Sequence, residues 1–255
     1  MPPVPVEQAE KLRMHDIGSF LLLSSAVFAG AFVSGLAGFA FSAVAGGILL
    51  HVLQPLEAVP LMMACSVGVQ ATNLWALRRN IQWKESLILV LGGLVGVPIA
   101  VWLLHNADTR TFREGFGLIV ALYAGYMLFR PGMTYLQQMK QSRNALVGFG
   151  GGLIGGLTAM PGALPTIWCD MHGMPKNEQR GLVQPFIAAM QIFALVLMLI
   201  RHDLSSDVLL DLVLSIPALL AGSALGIFAF RSVNEAAFRR IILSILLVSG
   251  VLLLV

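Results

Sequence analysis

Three groups of uncharged residues in this chain could do chemistry where charge is scarce. The run GLAGFAFS holds Gly35, Gly38, Phe39 and Ser42, and the run GLTAMPGALPT holds Thr158, Pro161, Gly162 and Thr166. The third group is of amides: Gln70, Asn73 three residues later on the same helix face, and Gln191. Glycine and proline interrupt helices. A helix restarting after such a break directs unpaired N–H groups and the positive end of its dipole into the gap. Two such ends facing each other would hold an anion without lysine or arginine. The hydroxyls and amides suit an oxyanion's oxygens, and Phe39 would give a wall for an organic group. The competing reading is structural: close helix packing for the glycines and interhelical hydrogen bonds for the amides.

A second set is titratable. His51 and His172 end two apolar segments, and Asp170 lies close to one of them. Histidine changes charge near neutrality, so these three are the candidates for proton coupling, against the plainer reading of interfacial side chains. Glu57 and Glu178 are expected on short solvated loops. Cys65 and Cys169 fall in apolar runs and read as small buried thiols. The 12 methionines show no ligating spacing, so no metal and no cofactor is expected. No HExxH, GxSxG or cluster of intramembrane carboxylates occurs, which argues against an embedded enzyme.

The elements that must position these residues are hydrophobic. Of 255 residues 57% are hydrophobic and 11% charged, against roughly 25% charged in soluble domains. The chain is polytopic, because several of its uncharged runs approach or exceed the roughly 20 residues a spanning helix needs. A net charge of +3 is too small to suggest nucleic acid. The N-terminal MPPVPVEQAEKLRMHD lacks the basic start and apolar core of a signal peptide, so the first apolar segment is expected to be kept as a helix.

Ten apolar segments can be read, at 17–35, 39–53, 58–77, 86–104 and 114–129, then 145–158, 162–174, 181–200, 208–229 and 238–255. At an offset of 121 the halves match Gly35 with Gly156, His51 with His172, Glu57 with Glu178 and Gln70 with Gln191. At 126, residues 112–129 lie against 238–255. An internal repeat in one membrane chain is typical of transporters. The expected organisation is a polar segment 1–16, a first membrane repeat 17–129, a linker 130–144 and a second repeat 145–255.

Five crossings per half would invert the second half relative to the first. Lysine and arginine then divide 11 to 5 between the two sides, against 9 to 7 if the first two segments of each half form one broken crossing. The positive-inside rule favours inversion. The second segment of each half is too short to cross a ~30 Å core comfortably. A pair of hairpins dipping from opposite faces, with tips GLAGF and TAMPGALP near the midplane, is the simplest arrangement. Such exposed backbone is tolerated only where protein buries it or where it lines a wet cavity.

With these motifs assembled, the chain resembles the sulfite exporter TauE/SafE family, relatives of the toluenesulfonate uptake permeases. The likeness runs from about residue 20 to the end. It rests on AGFAFSAVAGGILLHVLQPLEAVPLMMACSVGVQATNLWALRRNIQW, on LGGLVGVPIAVWLLHNADTRTFREGFGLIVALYAGYMLF, and on GFGGGLIGGLTAMPGALPTIWCDMHGMPKNEQRG. The resemblance implies a multi-pass carrier of the bacterial inner membrane for sulfite, sulfonates and related sulfur oxyanions. Two departures fall where cargo should meet backbone. Met160, Pro161, Gly162 and Ala163 stand where members often carry a GxGGP-type run, and GLAGFAFS lacks a glycine triplet.

The expectation is therefore an all-α polytopic carrier of two inverted five-segment repeats, moving a small anion by alternating access around a midplane site. An anion channel and, more remotely, a membrane-embedded enzyme are the alternatives. The expected partners are the small anion and the lipid bilayer, with no nucleic acid. Whether the chain forms a homo-oligomer is left open, as are direction and coupling ion.

Overall fold

A computed structural model describes residues 6–37, 40–79, 81–129, 141–201, 206–230 and 235–254. Among them the chain forms ten helices and no strand. In the first half these are α1 (Val6–Ala37), α2 (Phe41–Leu49), α3 (Pro55–Leu77), α4 (Trp83–Asn106) and α5 (Thr109–Phe129). The second half gives α6 (Gln141–Thr158), α7 (Ala163–Met171), α8 (Lys176–Ile200), α9 (Ser206–Phe230) and α10 (Glu235–Leu252). Each apolar segment of the sequence has become one helix, because in lipid a backbone must satisfy its own hydrogen bonds. Four helical stretches are long and apolar enough to cross a membrane: α4, α5, residues 178–200 of α8 and residues 208–229 of α9.

Two boundaries differ from expectation. Helix α1 begins at Val6 and runs through most of the polar segment, where Glu, Gln, Ala, Lys and Leu are all good helix formers. Glu57 and Glu178 are not on loops but in the first turns of α3 and α8, where an acidic residue complements the positive helix end. Glu57 also closes a capping box with Gln54.

The short helices fold back on their predecessors. A Cβ on Gly30 of α1 would lie 3.0 Å from the Phe41 carbonyl and 3.1 Å from Ala45 Cβ. Leu49, at the far end of α2, shares a cavity wall with Leu23 of α1. In the second half Gly155 packs on Pro161 near the turn. At the open end, Trp168 Nε1 donates to Asn144 Oδ1 at 3.0 Å. Pairs α1–α2 and α6–α7 are therefore antiparallel hairpins. Each nine-residue return helix rises about 13.5 Å, under half of a ~30 Å hydrocarbon core.

Packing between the halves repeats residue by residue. Helix α1 lies on α9 as α6 lies on α4. A Cβ on Gly35 would meet the Ser223 carbonyl at 2.7 Å, and one on its match Gly156 would meet the Val97 carbonyl at 3.3 Å. Residues 97 and 223 are themselves repeat partners at the offset of 126. Likewise Gly96 faces the Phe149 carbonyl and Gly222 the Phe28 carbonyl. Where the equivalent helices α5 and α10 touch, Gly117 meets Leu253, Ala121 meets Gly250 and Gly125 meets Leu247. That order is antiparallel.

The outward faces are apolar. Ile241, Ile245, Val248 and Leu252 form one exposed stripe along α10, and Leu87, Leu91, Leu94 and Trp102 another along α4. Trp75 and Trp83 flank the Arg78–Arg79 loop, both exposed, with the Arg78 guanidinium 4.4 Å from the Trp75 ring centroid. Tryptophan and arginine so placed suit a headgroup layer.

Candidate functional site

The two hairpin tips meet. Ser42, in the first turn of α2, donates its hydroxyl to the Ala159 carbonyl at 2.7 Å, joining residues 117 apart in the chain. Ala159 sits at the turn between α6 and α7 with φ 56°, and Ala40 caps α2 with φ 72°. Left-handed alanine costs about 1–2 kcal/mol, and such strain persists only where the surroundings over-determine it. Here the carbonyl of the strained residue is held from two sides. Besides Ser42, Gln191 Nε2 donates to it at 3.1 Å.

Around this junction lies a cavity of about 50 Å³. Ser34, Ser42, Ser66, Gln70, Tyr123 and Gln191 give it polar walls from α1, α2, α3, α5 and α8. The second tip contributes Ala159, Met160, Pro161, Gly162 and Thr166. Among the described residues that line it, none is a lysine, arginine, histidine or carboxylate. Both Ala40, before α2, and Gly162, before α7, border the space, and neither helix start has a side-chain cap. The first-turn amides of an α-helix have no intrahelical acceptor. Both helix starts therefore border the pocket, although at α7 the Ala163 N–H is already given to the Met160 carbonyl at 3.2 Å and Pro165 has none to give.

Of the residues singled out from sequence, Ser42, Gln70, Pro161, Gly162, Thr166 and Gln191 border this cavity. Gly35 does not; its role is close approach of α1 to α9. Thr158 is buried and donates to the Ile154 carbonyl one turn back in its own helix, at 2.8 Å. Gly38 and Phe39 lie outside the described residues, and so does the side chain of Asn73 on α3. His51, just past α2, is exposed. His172 caps the far end of α7, its ring 4.2 Å from that of Trp168, its Nδ1 2.8 Å from the Trp168 carbonyl. Asp170 is at that same outer end. These three are separated from the tips by the length of a short helix.

Sequence reading missed Ser34, Ser66, Tyr123 and Ala159. Ser66 stands four residues before Gln70, one turn along the same face, so it could have been found. Ala159 acts through its carbonyl, which no residue type announces.

The fold is that of a multi-pass α-helical membrane protein, with a small, partly open pocket where the tips of two broken helix pairs meet. More particularly, the chain belongs to the sulfite exporter TauE/SafE family, whose model matches residues 22–253. Membership implies a membrane transporter of sulfur anions. No curated protein and no solved structure matches the chain.

Proposed function

We propose that the protein is a carrier for a small sulfur oxyanion, sulfite first among them, working by alternating access in a bacterial inner membrane. The observation that carries this reading is the meeting of the two hairpin tips, where the starts of α2 and α7 border one pocket whose described lining holds hydroxyls and amides and no charged side chain. Backbone amides and dipole ends attract an anion. The absence of an arginine keeps that attraction weak enough for release.

Size supports an inorganic cargo in this conformation. A water needs roughly 10–15 Å³ measured as the cavity is, so 50 Å³ corresponds to about three to five waters, the size of a small ion. Antiparallel α5 and α10, being repeat equivalents, support an inverted repeat. If the return helices enter from opposite faces, as an inverted repeat requires, each reaches about half a bilayer inward and the tips meet near the midplane. Transport would then rock one part of the bundle against the other around that site. His51, His172 and Asp170 would act, if they couple protons, at the outer rims.

The test is flux into proteoliposomes of purified protein with sulfite, thiosulfate, sulfoacetate and an aromatic sulfonate, each at two pH values. Saturable sulfite flux is expected. Flux that never saturates would favour the channel, and no flux of any anion would remove the reading.

A further inference from the structure

Residues 78–82 join α3 to α4, and a tryptophan stands on either side of them. Trp75 is 71% exposed and Trp83 67%, so both rings lie on the surface that the bilayer covers. Arg78, Arg79 and Lys84 are exposed beside them. Among the described residues, none of these three cations is paired with a carboxylate. The one acid of the corner, Glu85, is itself exposed, and the corner is basic on balance.

This corner is held in shape. The Arg78 guanidinium lies over the Trp75 ring, and its Nη1 donates to the Trp75 carbonyl at 3.3 Å. On the other side, the Gln82 N–H donates to the Gly181 carbonyl of α8 at 3.1 Å. A guanidinium has five N–H donors, so Arg78 keeps others for an oxyanion.

The fold does not ask for these side chains. At the offsets that align the halves, Trp75, Arg78 and Arg79 match Val196, Leu199 and Ile200. Trp83 and Lys84 match Leu209 and Leu210. Residues 201–208 carry Arg201 and His202 with Asp203 and Asp207, so the matching corner is not basic. The same helix-to-helix connection is thus built a second time without tryptophan and without a cationic cluster.

We propose that the α3–α4 corner binds the headgroup of an anionic phospholipid, its phosphate taken by Arg78 and Arg79 with Lys84 adding charge, and its glycerol region lying against Trp75 and Trp83. Indole settles at the boundary between headgroups and chains, and the planar guanidinium fork matches a phosphate. Each basic residue at an anionic surface favours it by about fivefold. The site is independent of what the cavity carries.

Tryptophan quenching by brominated lipid tests this in proteoliposomes of the purified chain, with dibromo-phosphatidylglycerol or dibromo-phosphatidylcholine at equal mole fraction. Half-quenching should need at least about fivefold less of the phosphatidylglycerol. Arg79→Gln should narrow that preference severalfold, and Arg78→Gln/Arg79→Gln/Lys84→Gln should bring it close to one. Raising salt from about 0.1 to about 1 M, which shortens the screening length from about 10 to about 3 Å, should narrow it as well. Trp75→Phe/Trp83→Phe should remove the headgroup-dependent part of the quenching, leaving Trp102 at the far end of α4 and Trp168 in α7 as reporters. Equal quenching by the two lipids would overturn the proposal. So would a preference that survives the triple variant or the loss of both tryptophans. The three cations are exposed, so their glutamine variants should fold, and the wild-type comparison decides even where one does not.

Discussion

The two hairpins share a backbone plan and differ in what they hang on it. Each turns a long helix back through a nine-residue one, and each sets an uncapped helix start on the same cavity. Yet Ser42, the donor of the first tip, is matched in the second by Ala163, and the strained acceptor Ala159 is matched by Gly38. The amides repeat the lesson. Gln70 and Gln191 occupy equivalent positions, but Ser66, which tethers Gln191, is matched by Ile187. The matching backbone supplies what the two tips share, a short return helix and close glycine contacts. Divergent side chains then make the two sides of the cavity chemically unlike.

The largest effects should come from breaking the duplicated part. Gly96→Val and Gly222→Val each drive a branched side chain into an equivalent backbone carbonyl, that of Phe149 or Phe28. Each should cost about 3 kcal/mol or more and abolish monodisperse protein on size-exclusion chromatography. If only one of the pair fails, the packing equivalence is wrong.

Next in size is the comparison of the amides. Gln191→Ala strips one of two donors from the buried Ala159 carbonyl and should raise the KM for flux about tenfold, the effect of one buried hydrogen bond. Gln70→Ala leaves the Gln191 donor to Ala159 in place and should raise it less. Equal effects would mean that the tether does not matter.

A smaller change makes the tips more alike. Ala159→Gly writes the first half's residue into the second tip and relieves a positive φ. It should stabilise the protein by about 0.5–1 kcal/mol, strain relief less the added chain entropy, visible as a raised Tm.

The smallest effect is expected far from the tips. Asp108 caps α5, accepting from the Thr111 N–H at 2.9 Å, and hydrogen bonds to Thr111 hold its carboxyl below the usual range. A depressed carboxylate stabilises above its unfolded pKa and loses that contribution as pH falls through the folded value. Asp108→Ala should therefore lower Tm slightly at neutral pH, by a difference that vanishes in acid.

Much of the fold was legible in the sequence. Hydropathy marked every helix, because spanning and burial in lipid depend on local composition. The offset of 121 that paired Gln70 with Gln191 also paired Gly35 with Gly156, and both pairs keep their equivalence in three dimensions. The site was legible only in part. Glycine types alone could not separate Gly162, on the cavity, from Gly35, which packs α1 on α9. Nor could a threonine's type say that Thr158 turns to its own helix while Thr166 borders the cavity.

What the sequence determined by itself is an all-helical membrane chain whose halves match at a fixed offset, with a break at the matching place in each. Those properties follow from hydrophobicity and helix propensity, which act within a few turns of chain. Only the tertiary structure decided that the breaks touch, that Ser42 spends its proton on Ala159, and that Gln191 donates to that same carbonyl. These depend on how helices are rotated and crossed against partners more than a hundred residues away, and no local pattern encodes that angle.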